Sequence, residues 1–407
     1  MAKQPKIRFK GFTEEWKEKT LGEQLIEINE KNDPKQTDFV ISLTVKDGVI
    51  PYSEKGAVGN KAKEDHSQYK LAYPNTIVLN SMNILIGAIG ICNYFGCVSP
   101  IYYVYKGAKD VDLSFVYRFM STKRFQKNLR KYGNGIMEIR LKVPTEDLMK
   151  RIIATPSLKE QGEVSSYFNS LDVLISQREK EVEKLRNIKR VLLEKLFPQK
   201  GQVFPSIRFK EFNEKWENRR LKDIATRVTR KNIGLESTLP LCISAQLGLV
   251  SQTDYYNNVV VGANMENYFL IKKGEFAYNK SAAAEYPMGA VKCLTSLDKG
   301  ILSTLYIVFA LKQGVDADYV QAHYETKPWQ DDVKKRMAVG ARNHGLLNIS
   351  PDDFFDSLVI IPSNSEEQKK VGKILAKLGQ VLLLREQQIT LLKHYKQALL
   401  EQMFIYE

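Results

Sequence analysis

Proline never follows proline anywhere in the 407 residues, so the Asn-Pro-Pro and Asp-Pro-Pro motifs of amino-methyltransferases are absent. No Gly-x4-Gly-Lys-Ser/Thr phosphate loop occurs either, which argues against an ATPase. Cysteine is scarce. Cys92, Cys97, Cys242 and Cys293 form no disulfide framework, and Cys92 and Cys97 have no second ligand pair to build a zinc site. The histidines His66, His323, His344 and His394 are scattered, so no metal site is expected. No run approaches the roughly 18 apolar residues of a membrane span. The opening "MAKQPKIRFK" has no apolar signal core. A soluble, cytoplasmic chain in a reducing compartment is the expectation. Low-complexity tracts are missing too, and 43% hydrophobic with 27% charged residues excludes a disordered chain.

What is present in excess is positive charge. The formal net charge is +14 and the pI near 9.3, which favours a polyanionic partner through counterion release from phosphates. Residues 158–197 contribute +1 and residues 365–404 contribute +3, so +10 lies in the two larger blocks between them. The length fits two domains of about 150 residues with connecting elements.

A repeat shows where to divide the chain. "PKIRFKGFTEEW" (Pro5 to Trp16) returns 200 residues later as "PSIRFKEFNEKW" (Pro205 to Trp216). "SLTVKDGVI" parallels "CISAQLGLV", with Gly48 facing Gly248, and "STKRFQKNLRK" parallels "ETKPWQDDVKK". Each half opens with short strand-like runs broken by Gly, Asn and Pro, then a basic amphipathic helix and a glycine-bearing loop. The halves diverge most in their middles.

Each half ends differently. From Ser157 the apolar residues Val164, Phe168, Leu171, Ile175, Val182, Leu185, Leu192 and Leu196 recur mostly at three and four. Val371, Leu375, Leu378, Leu382, Ile389, Leu392, Leu399 and Met403 repeat the seam 207 residues on. Both segments read as amphipathic helices of about 60 Å with coiled-coil spacing. Neither buries its stripe alone, so pairing is expected. An antiparallel pair would set the two domains at opposite ends with pseudo two-fold symmetry. "TPSLKEQ" and "IPSNSEEQ" mark the starts, where Ser is expected to cap and Glu to favour the helix N-terminus. "FPQKGQVFP" ends the first helix and serves as linker.

The Ile-Arg-Phe phrase, the Pro-Ser-x(2,3)-Glu-Gln start, the helix ending "LLEKLF" or "LLEQMF" and two divergent domains occur twice in one order. In this the chain resembles the specificity subunit of type I restriction-modification systems over essentially its full length. The resemblance implies an α+β fold with two tandem mixed α/β target recognition domains, at 1–156 and 205–362, each followed by a long helix. The conserved spacer helices would span 157–197 and 363–407, joined to the second domain by a linker at 198–204. It implies a non-catalytic DNA-recognition subunit in which each domain reads half of a bipartite double-stranded site. The helices would set the spacing and dock two methyltransferase (modification) subunits. No cofactor is implied for this chain. S-adenosylmethionine, ATP and Mg would serve the methyltransferase and restriction/translocase partners.

DNA contacts are expected from polar and basic residues on loops. In the first half these are Asn80, Ser81 and Asn83 of "LNSMN", with Lys131, Asn134 and Arg140 of "RKYGNGIMEIR". In the second they are Asn279, Lys280, Ser281 and Tyr286 of "YNKSAAAEYP", with Lys335, Arg336, Arg342 and Asn343 of "KKRMAVGARNH". The plain alternative for each is a loop polar residue that caps a turn, and for the basic helices a solvated face. Arg178 and Arg385 interrupt the helical seam at equivalent places, either as register devices or as side chains that reach solvent. Trp16 and Trp216 read as core anchors, and "SPDDFF" at Ser350, aligned with "VPTEDL" at Val143, as structural. The competing function is a coiled-coil protein-interaction scaffold without DNA specificity.

Overall fold

In the first half, β-rich runs become paired strands and the repeated phrase becomes the lead into them. The computed structural model describes residues 4–33, 35–55, 65–133, 142–199, 201–244, 247–256, 264–282, 286–337 and 346–406. β1 (Lys17–Thr20) leads into the one-turn helix α1 (Leu21–Gln24), where Thr20 and Glu23 exchange reciprocal capping bonds. Strands β2 (Leu25–Ile28), β3 (Val40–Thr44), β4 (Gly48–Pro51), β5 (Lys70–Ala72), β6 (Thr76–Asn80), β7 (Ile89–Cys92), β8 (Gly96–Val98) and β9 (Tyr102–Gly107) form two four-stranded sheets. Their orders are β2-β9-β6-β7 and β4-β3-β8-β5, antiparallel except for β3 beside β8. The β3-β4 turn needs Gly48, whose φ is +70°. Helices α2 (Leu113–Met120), α3 (Lys123–Leu129) and α4 (Thr145–Met149) follow, and β10 (Ile152–Thr155) returns to pair with β1. The long helix α5 covers Leu158–Leu196.

The second half repeats this order. β11 (Trp216–Arg220), α6 (Leu221–Ile224), β12 (Ala225–Val228), β13 (Leu241–Ser244), β14 (Gly248–Ser251), α7 (Gln252–Tyr256), β15 (Phe269–Lys272), β16 (Phe276–Asn279), β17 (Ala290–Cys293), β18 (Lys299–Leu302) and β19 (Ile307–Leu311) come first. α8 (Ala317–His323), α9 (Lys327–Arg336), α10 (Pro351–Phe355), β20 (Leu358–Pro362) and α11 (Ser365–Met403) complete it. The sheet β12-β19-β16-β17 repeats β2-β9-β6-β7 strand for strand. The second sheet of the first half is here two separate pairs, β13-β14 and β15-β18, among the described residues. Ser350 caps α10 by accepting from the Asp353 amide, and Phe354 is buried, which gives "SPDDFF" a packing role.

Contacts divide the chain inside both long helices. One unit holds Met1–Gln177 with Ile389–Glu407, the other Arg178–Gln388. In the first unit the end of α11 enters the domain core, and Phe404 packs 5.0 Å from Phe115 and 5.9 Å from Phe119. In the second unit Phe197, just beyond α5, packs 5.2 Å from Tyr319 and 6.3 Å from His323. The terminal Phe of "LLEKLF" and "LLEQMF" is therefore a core plug in both. Trp16 and Trp216 are each buried in the same cores.

The repeated phrase closes onto the start of each long helix. Arg8 makes two bonds to Glu160, at 2.7 and 2.8 Å, and Arg208 makes two to Glu367 at the same distances. Gln161 accepts from the Asp112 amide and donates to the Pro156 carbonyl; Gln368 does the same with Asp316 and Pro362. Both glutamates lie in the first turn of their helices, as expected, and the arginine bond is a second role that the motif did not reveal. The second helix also differs in its cap. One extra residue between Pro-Ser and Glu-Gln puts Asn364 at the position whose side chain accepts from the Glu366 amide.

His323 stands where the first half has Phe119, and it is only 1% exposed. Burial pushes it down to about 4, against the opposing pull of the Leu358 backbone and Asp332. The unfolded chain takes up this proton near pH 6.5, whereas the fold refuses it until about 4. The stability of the second unit is therefore whole above the unfolded value and falls as pH drops through this window, by about 3 kcal/mol from this residue. Urea unfolding at pH 7 and pH 4.5 checks this: His323→Phe should remove that part of the acid sensitivity.

Candidate nucleic-acid interface

In both domains the central strand of the repeated sheet ends on asparagine. Asn80 closes β6, and its side-chain oxygen accepts from the Met82 amide at 3.0 Å. Asn279 closes β16 and accepts from the Ser281 amide at 3.0 Å. Asparagine suits this place because its short amide oxygen reaches the backbone two residues on and fixes the turn. The next residue is also used alike: the Ser81 carbonyl accepts from Val143 at 3.1 Å and the Lys280 carbonyl from Leu347 at 2.9 Å. Val143 and Leu347 lie just beyond the glycine-bearing loops. The Asn turn and the residue that follows the second candidate segment, far apart in sequence, are thus bonded at one edge of each domain.

In the first unit a basic helix arrives at the same edge. In the first unit α3 packs against the 3-10 turn Ile84–Ile86, which follows Asn83. Arg124, Lys127 and Lys131 along α3 and the turn after it are exposed. The Arg151 guanidinium lies 3.7 Å over the Tyr132 ring and buttresses that turn. In the second unit α9 ends in Lys334, Lys335 and Arg336; the two lysines are exposed. Arg336 is engaged by Asp332 one turn back, at 2.9 Å. Gly289, at φ +72°, lets the Asn279 carbonyl approach, because a Cβ there would sit 2.1 Å from that oxygen.

The expected residues therefore differ in what they present. Asn80 and Ser81 are buried, at 6% and 3% exposure, so they shape the turn rather than display donors. Asn83, Asn279, Lys280 and Tyr286 are half-buried at the same edges, and Ser281, Lys131 and Lys335 are exposed. Asn134, Arg140, Arg342 and Asn343 lie outside the described residues. Arg178 bonds Glu181 at 2.7 Å and Arg385 bonds Gln388 at 3.0 Å, each three residues along its own helix. Among the described residues no group of His, Cys, Asp and Glu could hold a metal ion. No described helix is long and apolar enough to cross a membrane.

What sequence reasoning missed is the bracket behind the edge. Asp112 and Asp316 cap α2 and α8 and are tied to Gln161 and Gln368, which sets the domain against its helix. The signal was available, since Glu-Gln was repeated and each Asp stands in a divergent stretch at the same distance from a helical run.

Comparison with solved structures follows this arrangement over the whole chain. The S subunit of a type I restriction-modification system from M. genitalium matches 99% of this chain and 100% of its own, with 14% identity and a TM-score of 0.64. A chain from a structure described as showing complex assembly and conformational transition of the type I R-M system matches 95% of this chain and 96% of its own, with 11% identity and a TM-score of 0.50. No protein-family model matches the sequence, and no curated protein matches it. The chain has the fold of a type I restriction-modification S subunit from end to end.

Proposed function

We propose that this chain is the non-catalytic DNA-recognition subunit of a type I restriction-modification complex, with each domain reading one half of a bipartite site. The observation that carries this reading is the duplicated edge: an Asn-fixed turn whose next carbonyl is bonded to Val143 or Leu347, and a helix with exposed basic residues, found once in each domain on a full-length S-subunit fold. Loop polar groups beside a cationic helix end are suited to the major groove, where the four base pairs present distinct patterns. Because the two edges carry different residues, the two half-sites differ.

The long helices act as an antiparallel spacer with pseudo two-fold symmetry. Supporting this, Tyr167 and Asp172 in the first part of α5 meet Tyr395 and Lys396 late in α11, at 3.2 Å for the tyrosine pair. Arg186, late in α5, meets Glu386 at 2.6 Å. The same helices dock two methyltransferase subunits, which bring S-adenosylmethionine, while restriction/translocase subunits bring ATP and Mg.

The test is DNA binding by the chain assembled with its methyltransferase partners across a salt series. If each edge neutralises three phosphates, the logarithm of the affinity falls with the logarithm of salt at a slope of about −5. A bipartite duplex should be retained at a salt concentration that releases duplex with both halves scrambled. Absence of DNA binding at every salt would support the competing reading, a coiled-coil scaffold for other proteins.

A further inference from the structure

In each unit the recognition domain shares an ion cluster with the long helices, and the two clusters are built with opposite polarity. In the first unit the domain supplies the cation. Arg118 on α2 is 5% exposed, lies 2.6 Å from Asp172 of α5 and donates to Asn169 at 2.7 Å. Lys396 of α11 pairs with the other oxygen of Asp172. In the second unit the domain supplies the carboxylate. Glu325, just after α8, pairs with Lys189 of α5 at 2.5 Å and with Lys292 of β17 at 3.5 Å. Burial opposes ionisation of Glu325, but Lys292 and Lys189 outweigh it and hold the carboxyl below its ordinary value.

The repeat shows what each place lacks. The helices repeat at 207, so Asp172 corresponds to Gly379 and Lys189 to Lys396. The domain helices repeat at 204, because Asp112 and Asp316 make the same cap and the same bond to glutamine. Arg118 therefore corresponds to Ala322 and Ser121 to Glu325. A Cβ at Gly379 would lie 3.6 Å from the Lys189 amine, repeating the neighbour relation of Asp172 and Lys396.

We propose that these residues key each recognition domain to its own place on the helices, Arg118 to Asp172 in one and Glu325 to Lys189 in the other. The first domain set in the second place would bring Arg118 against Lys189, with glycine at 379 and no carboxylate from Ser121. Two cations would share a largely enclosed site without a counter-ion. The second domain set in the first place would bring Glu325 and Lys292 to Asp172 and Lys396, two charges of each sign. The key therefore works in one direction: the second domain fits either place and the first only its own. This inference does not rest on DNA reading.

Full-length chains test it by calorimetry without DNA. One carries residues 21–155 in both places and the other carries residues 221–361 in both. The first-domain-twice chain should show its lowest unfolding transition about 10 °C below that of the natural chain, as expected for an uncompensated buried charge. Gly379→Asp in that chain should restore most of the loss, while Gly379→Asn, which matches it in shape and removes the same glycine, should not. The second-domain-twice chain should unfold near the natural temperature. If the first chain is insoluble, recovery of soluble protein with Gly379→Asp replaces the melting readout, and failure of that rescue overturns the key. Equal stability of the first-domain-twice chain and the natural chain, equal rescue by Asn and Asp, or a second-domain-twice chain as impaired as the first each overturn it as well.

Discussion

Exchange of residues 205–355 for a recognition domain of different sequence changes one half of the recognised DNA site and leaves the other half as it was. The reason is in the division of the structure. The Asn279 turn, its bond to Leu347 and the basic end of α9 all belong to the second unit, whereas the Asn80 turn and α3 belong to the first. With about 1–3 kcal/mol lost per mismatched base pair, three altered pairs lower affinity for the original site by about a hundredfold or more. Selection of bound duplexes from a randomised pool measures this. Change in both halves would show that the domains do not read independently.

Glu367→Ala should be among the most damaging single substitutions in the second unit. Its buried carboxylate takes both bonds from Arg208 and a third from the Trp216 indole at 3.1 Å. Removal leaves the indole N–H without a partner, and the guanidinium with only its bond to the Glu214 carbonyl at 2.6 Å, in a core that also seats Phe197 and Tyr319. Breaking a buried ion pair from one side costs about 3–5 kcal/mol, and a hydrogen bond to a charged group about 1.5–3 kcal/mol. Glu160→Ala should cost the first unit less, because the Trp16 indole nitrogen makes no hydrogen bond there. Thermal unfolding of the two variants checks the order. Equal losses would mean that the indole bond adds nothing.

The frame of the molecule was legible because it is written twice. Trp16 and Trp216, the Glu-Gln pairs and the terminal Phe of each helix recur at fixed offsets, and a residue repeated in two diverged halves is held by contacts common to both. The ends of α5 and α11 could be read from the apolar seam within a few residues. The Asn364 cap could not, since a single inserted residue moves the start of the helix without altering the motif. The polar segments were recognisable as polar, but not that Asn80 and Ser81 are buried, because burial at a strand end depends on partners distant in sequence, such as Val143 bonded to the Ser81 carbonyl. Arg118 and Glu325 were hidden for another reason. Each pairs with a helix residue more than fifty or a hundred positions away, and their equivalents, Ala322 and Ser121, share none of their chemistry. A repeat reveals what two halves share and conceals what distinguishes them.

The central claim is that one chain reads two different half-sites at a set separation. The direct measurement is a map of methylated adenines in DNA from cells that make this chain together with its methyltransferase partners. The account predicts a split motif of two unlike halves around a gap of fixed length, lost when the chain is removed and altered in one half by the exchange of residues 205–355. A continuous motif, or a split motif that persists without the chain, would contradict it.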